Sequence, residues 1–411
     1  MQLNQKELQT NTIRLARLAV AITFFNNGFL YANWVSRLPR IQEIYGLDNG
    51  NLGMILLAVA VGALVAMPFT GWIISKEGTQ RIITFGAIFF CLAVPFIPLM
   101  LSPVALFVLF FVMGATTGIL DVTMNAQAVL VESGYKRPIM ASFHAIFSAG
   151  MMVGAGTGAV FTMLNTSLFL HLAIVSSICL FLAFWAVRHL IPDPKKEPSV
   201  GDGPAFRWPT KALVGIGLIA FCCMLGEGAM ADWSTNYMRK VAMADKGLAP
   251  IGLAAFSLAM MLCRFMGDRL RMVLGDVKLL TFASLTAFAG ILLVITLPQP
   301  IPVIAGLFIV GMGLSIIVPI AYSQAGSMPG LAPGVGISMV TTIGYSGFLF
   351  GPPIIGFLAD WQGLRFALGL VMILFLLMTL LSFRQGKPQQ VKGQKEGNTP
   401  VNKPKKILET A

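Results

Sequence analysis

Asp121 stands in the middle of a long apolar run, where a carboxyl is costly enough to imply a task. Thr117, Asp121, Asn125 and Ala128 follow steps of four, four and three, so on a helix they form one stripe of polar and small residues. That stripe suits the wall of an aqueous cavity, in which Asp121 gains and loses a proton as access alternates between the two sides. A structural acid bonded to a neighbouring helix is the other reading. Glu227 sits near the middle of a later apolar run and either binds a solute or carries a second proton. Asp232 lies nearer the outer end of that run and reads as a gate or interfacial group, because water is close. His144 titrates in the range that suits a proton relay, or else it packs. Arg264 and Asp268 are four residues apart and read as a structural pair at the membrane rim.

The neutral candidates are amides and aromatics. Asn26 and Asn27 are adjacent, so they point about 100° apart on a helix and only one of them can face a central cavity. Tyr31 and Trp34 share a face with Asn27, and Asn125, Tyr322 and Tyr345 add an amide and two hydroxyls. Aromatic planes with such donors suit a polar, polyhydroxylated small molecule. Trp34 and Trp233 lie near the outer membrane interface and read either as cavity walls or as belt anchors.

These residues need elements to hold them. Of 411 residues, 56% are hydrophobic and 11% charged, more apolar surface than one water-soluble core can hide. A helix needs about 20 residues to cross the hydrocarbon. Twelve apolar runs qualify: 13–36, 50–74, 82–101, 104–131, 138–163, 166–189, 211–238, 249–273, 277–297, 301–326, 334–358 and 364–384. Runs this long are helices, since lipid offers no partner to an open backbone, and they lack the alternation of a transmembrane barrel. The chain is therefore expected to be an all-α membrane protein with twelve transmembrane helices in two pseudo-symmetric bundles. The expected division is a six-helix half over 1–190, a linker over 191–210 rich in Pro, Gly and charge, a second half over 211–385, and a disordered lysine-rich tail over 386–411.

The net charge of +12 sits in the turns and the tail rather than on one aromatic-studded face, which argues against nucleic acid. Most Lys and Arg fall on the side of the two termini, which places both termini in the cytoplasm, and a bacterial inner membrane is the expected location. Cys91, Cys179, Cys222, Cys223 and Cys263 lie in apolar runs without paired spacing and read as packing residues. No metal or cofactor motif and no catalytic domain is legible, so an enzyme is not expected, and the chain is expected to act as a monomer among its lipids.

The halves repeat at an offset near 197. Gly114 aligns with Gly311, Gln127 with Gln324, Gly150 with Gly347 and Gly154 with Gly351, while NGFLYANW from Asn27 answers EGAMADW from Glu227. Duplicated bundles place their site at the repeat interface near mid-membrane. Gly150, Gly154 and Gly158 let helices approach closely, and the run Gly351-Pro352-Pro353 through Gly356 is expected to break or bend its span.

On these residues the chain resembles the major facilitator superfamily. Between spans two and three, Gly71-Trp-Ile-Ile-Ser75-Lys-Glu-Gly78-Thr-Gln-Arg81 is similar to the family's Gly-x-x-x-Asp-Arg-x-Gly-Arg loop, with Ser75 in place of the acid. The second half keeps the acid in Gly267-Asp268-Arg269. The resemblance implies that these loops latch helix ends and set the balance between inward and outward states. Asp121-Val-Thr-Met-Asn125 resembles the fucose-permease-like branch and the rhizopine-linked MosC-type proteins, which implies proton coupling through Asp121. The expectation is a secondary transporter of a small polar, sugar-like solute, driven by the proton gradient. An exporter of drugs or metabolites is the alternative.

Overall fold

A computed structural model describes residues 2–135, 139–192, 211–328 and 333–385, and within them every regular element is a helix. The first half runs α1 (Gln2–Val35), α2 (Leu38–Tyr45), α3 (Asn49–Glu77), α4 (Thr79–Ala93), α5 (Pro103–Tyr135), α6 (Met140–Met163) and α7 (Leu168–Val187). The second runs α8 (Lys211–Lys240), α9 (Ile251–Leu274), α10 (Asp276–Thr296), α11 (Pro300–Leu314), α12 (Ile317–Gly326), α13 (Pro333–Gln362) and α14 (Leu364–Gln385). The expected linker is described only at Ile191 and Pro192, and the expected tail lies outside the described residues.

Among the described residues, eleven helices are long and apolar enough to cross a membrane. The span expected at 249–273 is α9, Ile251–Leu274. Its 24 residues give a helix long enough to cross the hydrocarbon, although it carries Arg264, Arg269 and Arg271. Large apolar side chains such as Phe96, Phe181, Ile301 and Ile373 are exposed around the bundle, as a lipid-facing surface requires.

Prolines shape the spans unevenly. The span after α3 tightens from α4 into a 3-10 helix at Val94–Leu99, where Pro95 and Pro98 cannot donate. The span at 301–326 divides into α11 and α12 around Ser315 and Ile316, because Pro319 offers no N–H to the Ser315 carbonyl. The break expected at Gly351–Gly356 is not found: Pro352 and Pro353 lie inside a continuous α13. Helices on either side enclose it there, so two missing backbone bonds do not end it.

The repeat is visible in the packing. α1 packs on α6 as α8 packs on α13, and α3 on α5 as α9 on α11. A Cβ at Gly114 would run into the Val59 carbonyl of α3, and one at Gly311 into the Phe256 carbonyl of α9, positions related by the same offset as the glycines themselves. Gly150 meets α1 at Phe25 as Gly347 meets α8 at Phe221. Gly78 and Gly275 turn the chain between α3 and α4 and between α9 and α10, at φ 80° ψ 160° and φ 71° ψ 162°, a backbone that a side chain would strain. Two further contacts, α6 on α9 and α3 on α13, join the halves.

The interface between the halves

At mid-bundle the halves meet through a half-buried ion pair and its neighbours. Arg264 of α9 donates from Nη2 to Glu227 Oε1 of α8 at 3.2 Å and from Nη1 to Ser148 Oγ of α6 at 2.7 Å. The His144 carbonyl lies 3.5 Å from the same Nη1. The imidazole of His144 packs edge-on against Phe24, with ring centres 5.4 Å apart. The sequence pairs Arg264 with Asp268 at the rim. The structure turns the guanidinium to Glu227 and across to α6, and the Asp268 side chain lies outside the described residues. A cation held by Glu227 costs less than one left alone in this setting.

Asp121 is half-buried on α5, and Asn125 donates to its carbonyl at 2.8 Å and to its Oδ1 at 3.2 Å. Asp121 and Glu227 both lie within electrostatic reach of the Tyr322 and Tyr345 hydroxyls. The interface thus gathers Asp121 from the first half with Glu227, Tyr322 and Tyr345 from the second.

Toward the end of the bundle that carries α2, Tyr31 donates to Asp232 Oδ1 at 2.8 Å, joining α1 to α8. Tyr31, Trp34, Asp232, Tyr345, Phe348 and Pro352 line a cavity of about 180 Å³ whose remaining wall is the apolar face of α3. Asp121 does not line it. Asp232 is buried with Tyr31 as its partner rather than standing in water as its sequence position suggests.

Other sequence candidates go elsewhere. Asn26 donates to the Cys179 carbonyl of α7 at 3.1 Å, and Asn27 turns its amide to the Met124 sulfur of α5 at 3.8 Å. Both line a small space of about 20 Å³ inside the first half, not the space between the halves, because α7 and α5 cover that face of α1. Trp34 and Trp233 are no membrane belt: both are buried in the bundle, Trp34 edge-on against Tyr31 and Phe110. Gly351 packs against Leu225 of α8. Gly71 faces open space, and Arg81 forms an exposed pair with Glu77 at 2.8 Å, a contact of little stabilising weight.

Sequence reasoning passed over several connecting groups. Asp360, near the end of α13, accepts from the Asn49 N–H at 2.9 Å and the Gly50 N–H at 2.6 Å, capping α3 of the other half. Lys240 Nζ donates to Gln42 Oε1 at 2.8 Å and Asn49 Oδ1 at 3.1 Å. With Gly53 packed so closely that a side chain there would strike the Pro352 carbonyl, these contacts close the α2 end. Gln127 of α5 donates to Thr79 Oγ1 at 2.6 Å and to the Ile191 carbonyl at 2.7 Å, tying the α3–α4 turn to the end of the first half. The α9–α10 turn is held by Arg271, which grips Asp276 with two bonds and reaches Ser323 of α12 at 2.7 Å. The visible signal for these was small: a polar residue at each span end. Among the described residues, no His, Cys, Asp or Glu cluster could hold a metal ion.

The chain matches the profile of the Major Facilitator Superfamily over residues 18–343 and again over 216–410. It is 35% identical to an uncharacterized MFS-type transporter of Yersinia pestis across 88% of this chain and 93% of that one. It is 32% identical to the membrane protein MosC of Rhizobium meliloti, across 92% and 93%. Among solved structures it is similar to the nucleoside transporter NupG (TM-score 0.72, 11% identity, covering 90% of this chain and 100% of that one). A bacterial homologue of the lysosomal transporter Spinster, solved inward-facing and unoccupied, aligns with TM-score 0.68 at 14% identity, over 92% and 96%.

Proposed function

The chain belongs to the Major Facilitator Superfamily and is a multi-pass membrane transporter rather than an enzyme, and from that premise we propose that it moves a small polar solute by alternating access, coupled to protons through Asp121. The observation that carries this reading is the ion pair at the joint of the halves, where Arg264 links Glu227 to α6, together with Asp121 and Glu227 both lying within electrostatic reach of Tyr322 and Tyr345. An uncovered carboxylate and a countered one have different tasks. Glu227, already neutralised by Arg264, is suited to hold the halves together or to yield Arg264 to a solute. Asp121, whose one described side-chain partner is a neutral amide, is suited to exchange a proton. Tyr322 and Tyr345 offer hydroxyls to a sugar-like solute, and Tyr31 with Trp34 offers aromatic planes.

The α2 end is read as the outer face and the termini as cytoplasmic on the distribution of Lys and Arg, and the membrane is taken to be a bacterial inner membrane. The closed α2 end then corresponds to an inward-facing state. Opening it requires Tyr31–Asp232, Asp360–Gly50 and Lys240–Gln42 to part together. The unit of transport is the single chain, which contains both halves of the interface.

The test is reconstitution into liposomes and a screen of labelled polyols, sugars and nucleosides with and without an inward proton gradient. With a substrate in hand, Asp121→Asn abolishes gradient-driven accumulation and spares counterflow exchange. Equal accumulation by variant and wild type overturns the coupling role. A solute extruded rather than accumulated reverses the direction.

A further inference from the structure

A second cavity, of about 520 Å³, lies at the α2 end, separate from the Tyr31–Tyr345 space. It is built from both halves: Arg37 after α1, Arg40 and Glu43 on α2, Arg239 on α8 and Lys246 beyond it. Four cations thus face one carboxylate, and Glu43 is already taken by Arg40 at 2.9 Å. Among the described residues Arg37, Arg239 and Lys246 form no ion pair.

Arg37 is the telling member, since it is only 7% exposed. Its Nη2 donates to the Thr166 carbonyl at 3.1 Å and its Nη1 meets His171 Nδ1 at 3.1 Å. Asn33 donates from Nδ2 to the Phe29 carbonyl at 2.8 Å, which leaves its Oδ1 as an acceptor for Thr157 Oγ1 and His171 Nε2. His171 therefore carries its proton on Nε2 and turns a lone pair toward Arg37. The network satisfies hydrogen bonds but supplies no negative charge. Burial first, and Arg40 second, lower the Arg37 guanidinium from its ordinary value, as expected of an uncompensated cation. Thr235 Oγ1, buried on the wall of the same cavity, has no hydrogen-bond partner among the described residues. A buried cation without a counter-charge is costly, and a roomy polar cavity beside it is where that charge would come from.

We propose that this cavity binds a phosphate-type oxyanion held between Arg37 of the first half and Arg239 of the second, and that its occupancy favours the state closed at the α2 end. Planar guanidinium groups match the geometry of such oxygens better than that of a spherical ion. An anion that bridges two halves binds only when they are together, so it must shift the equilibrium toward closure. The same chemistry comes from a soluble phosphate or from the headgroup of an anionic lipid at the membrane surface.

The test uses the full-length protein. In detergent, the unfolding midpoint is followed against inorganic phosphate at constant ionic strength. In nanodiscs, phosphatidylglycerol is compared with phosphatidylcholine. Spin labels at Leu164→Cys and Met243→Cys, both exposed at the α2 end on opposite halves, report closure in a background without the native cysteines. Saturable stabilisation by phosphate with a narrowed short distance is expected, and Arg239→Gln raises the half-saturating concentration by about tenfold or more. Arg239→Gln and Lys246→Gln carry the test if Arg37→Gln does not fold. An effect of phosphatidylglycerol alone, lost in Arg239→Gln, supports the site with lipid as its source. If neither anion acts, or the variants respond as wild type does, the proposal fails.

Discussion

Asp360 Oδ2 accepts the Gly50 N–H at 2.6 Å, so a carboxylate of the second half supplies the start of α3 with a negative charge it does not have in its own first turn. Asp48 caps the same helix from within the first half through the Asn51 N–H at 2.6 Å. The N-terminus of α3 is therefore satisfied twice, once within its half and once across the interface. Only the second bond depends on the closed state, and it draws on the positive end of the helix dipole.

Asp360→Ala should loosen the α2 end without unfolding either half. A helix cap is worth roughly 0.5–2 kcal/mol, which corresponds to an increase of roughly 2- to 30-fold in the open-to-closed ratio. Electron–electron distances between labels at positions 164 and 243 should gain a longer component. An unchanged distribution would mean that Lys240 and the Gly53–Pro352 contact suffice for closure.

The Arg264–Glu227 pair predicts a coupled pair of defects. Glu227→Gln strands a half-buried guanidinium on Ser148, so thermal stability should fall by on the order of 2 kcal/mol, between the costs for exposed and buried pairs. Arg264→Gln alone should do the same, while the double variant recovers part of the loss. Additive losses in a thermal-shift double-mutant cycle would show that the two side chains do not depend on each other.

The halves were legible in the sequence because duplication leaves its trace in residues that cannot change. Gly114 and Gly311 keep their register since a carbonyl lies where a side chain would go. The membrane character followed from composition, and the chain's membership of the superfamily from its loops and spans. Partners across the interface were not legible. Arg264 and Asp268 have ideal spacing along one helix, but spacing cannot reveal that Glu227 and Ser148 stand beside Arg264 on other helices. That Asn26 and Asn27 line a space inside the first half rather than between the halves was hidden for a related reason: periodicity gives the angle between two side chains, not which neighbour covers each face. Trp34 and Trp233 sit at interface depth in sequence, yet depth carries no information about whether a side chain faces lipid or protein.

Tyr31→Phe should act on the conformational balance more than on the fold. It removes the one described hydrogen bond of the Asp232 carboxyl while leaving the aromatic contact with Trp34. A buried acceptor left without its donor costs about 1–3 kcal/mol, and the cost is felt only when α1 and α8 are together. The closed α2 end should therefore be depopulated, with an unfolding midpoint close to wild type. Asp232→Asn, which can still accept from Tyr31, should be milder. The same label pair reads both, and a Tyr31→Phe variant as closed as wild type would assign the bond no part in gating.

The glycines separate packing from gating most sharply. Gly114→Leu and Gly311→Leu each drive a side chain into backbone, at Val59 and at Phe256, and neither α3 nor α9 can yield by moving a rotamer. Both variants should lose roughly 3 kcal/mol or more, seen as a loss of monodisperse protein after detergent extraction. Among the described residues nothing lies within 4 Å of Gly71's missing side chain, and Gly71 sits inside α3, so Gly71→Ala should be neutral or stabilising by up to about 1 kcal/mol. If Gly71→Ala nonetheless impairs transport while raising the unfolding midpoint, the position serves a state in which that space is filled. The α3–α4 loop would then close against the other half when the α2 end opens. Unaltered transport would leave Gly71 with no part in the cycle, and the balance between states would rest on the contacts at the α2 end alone.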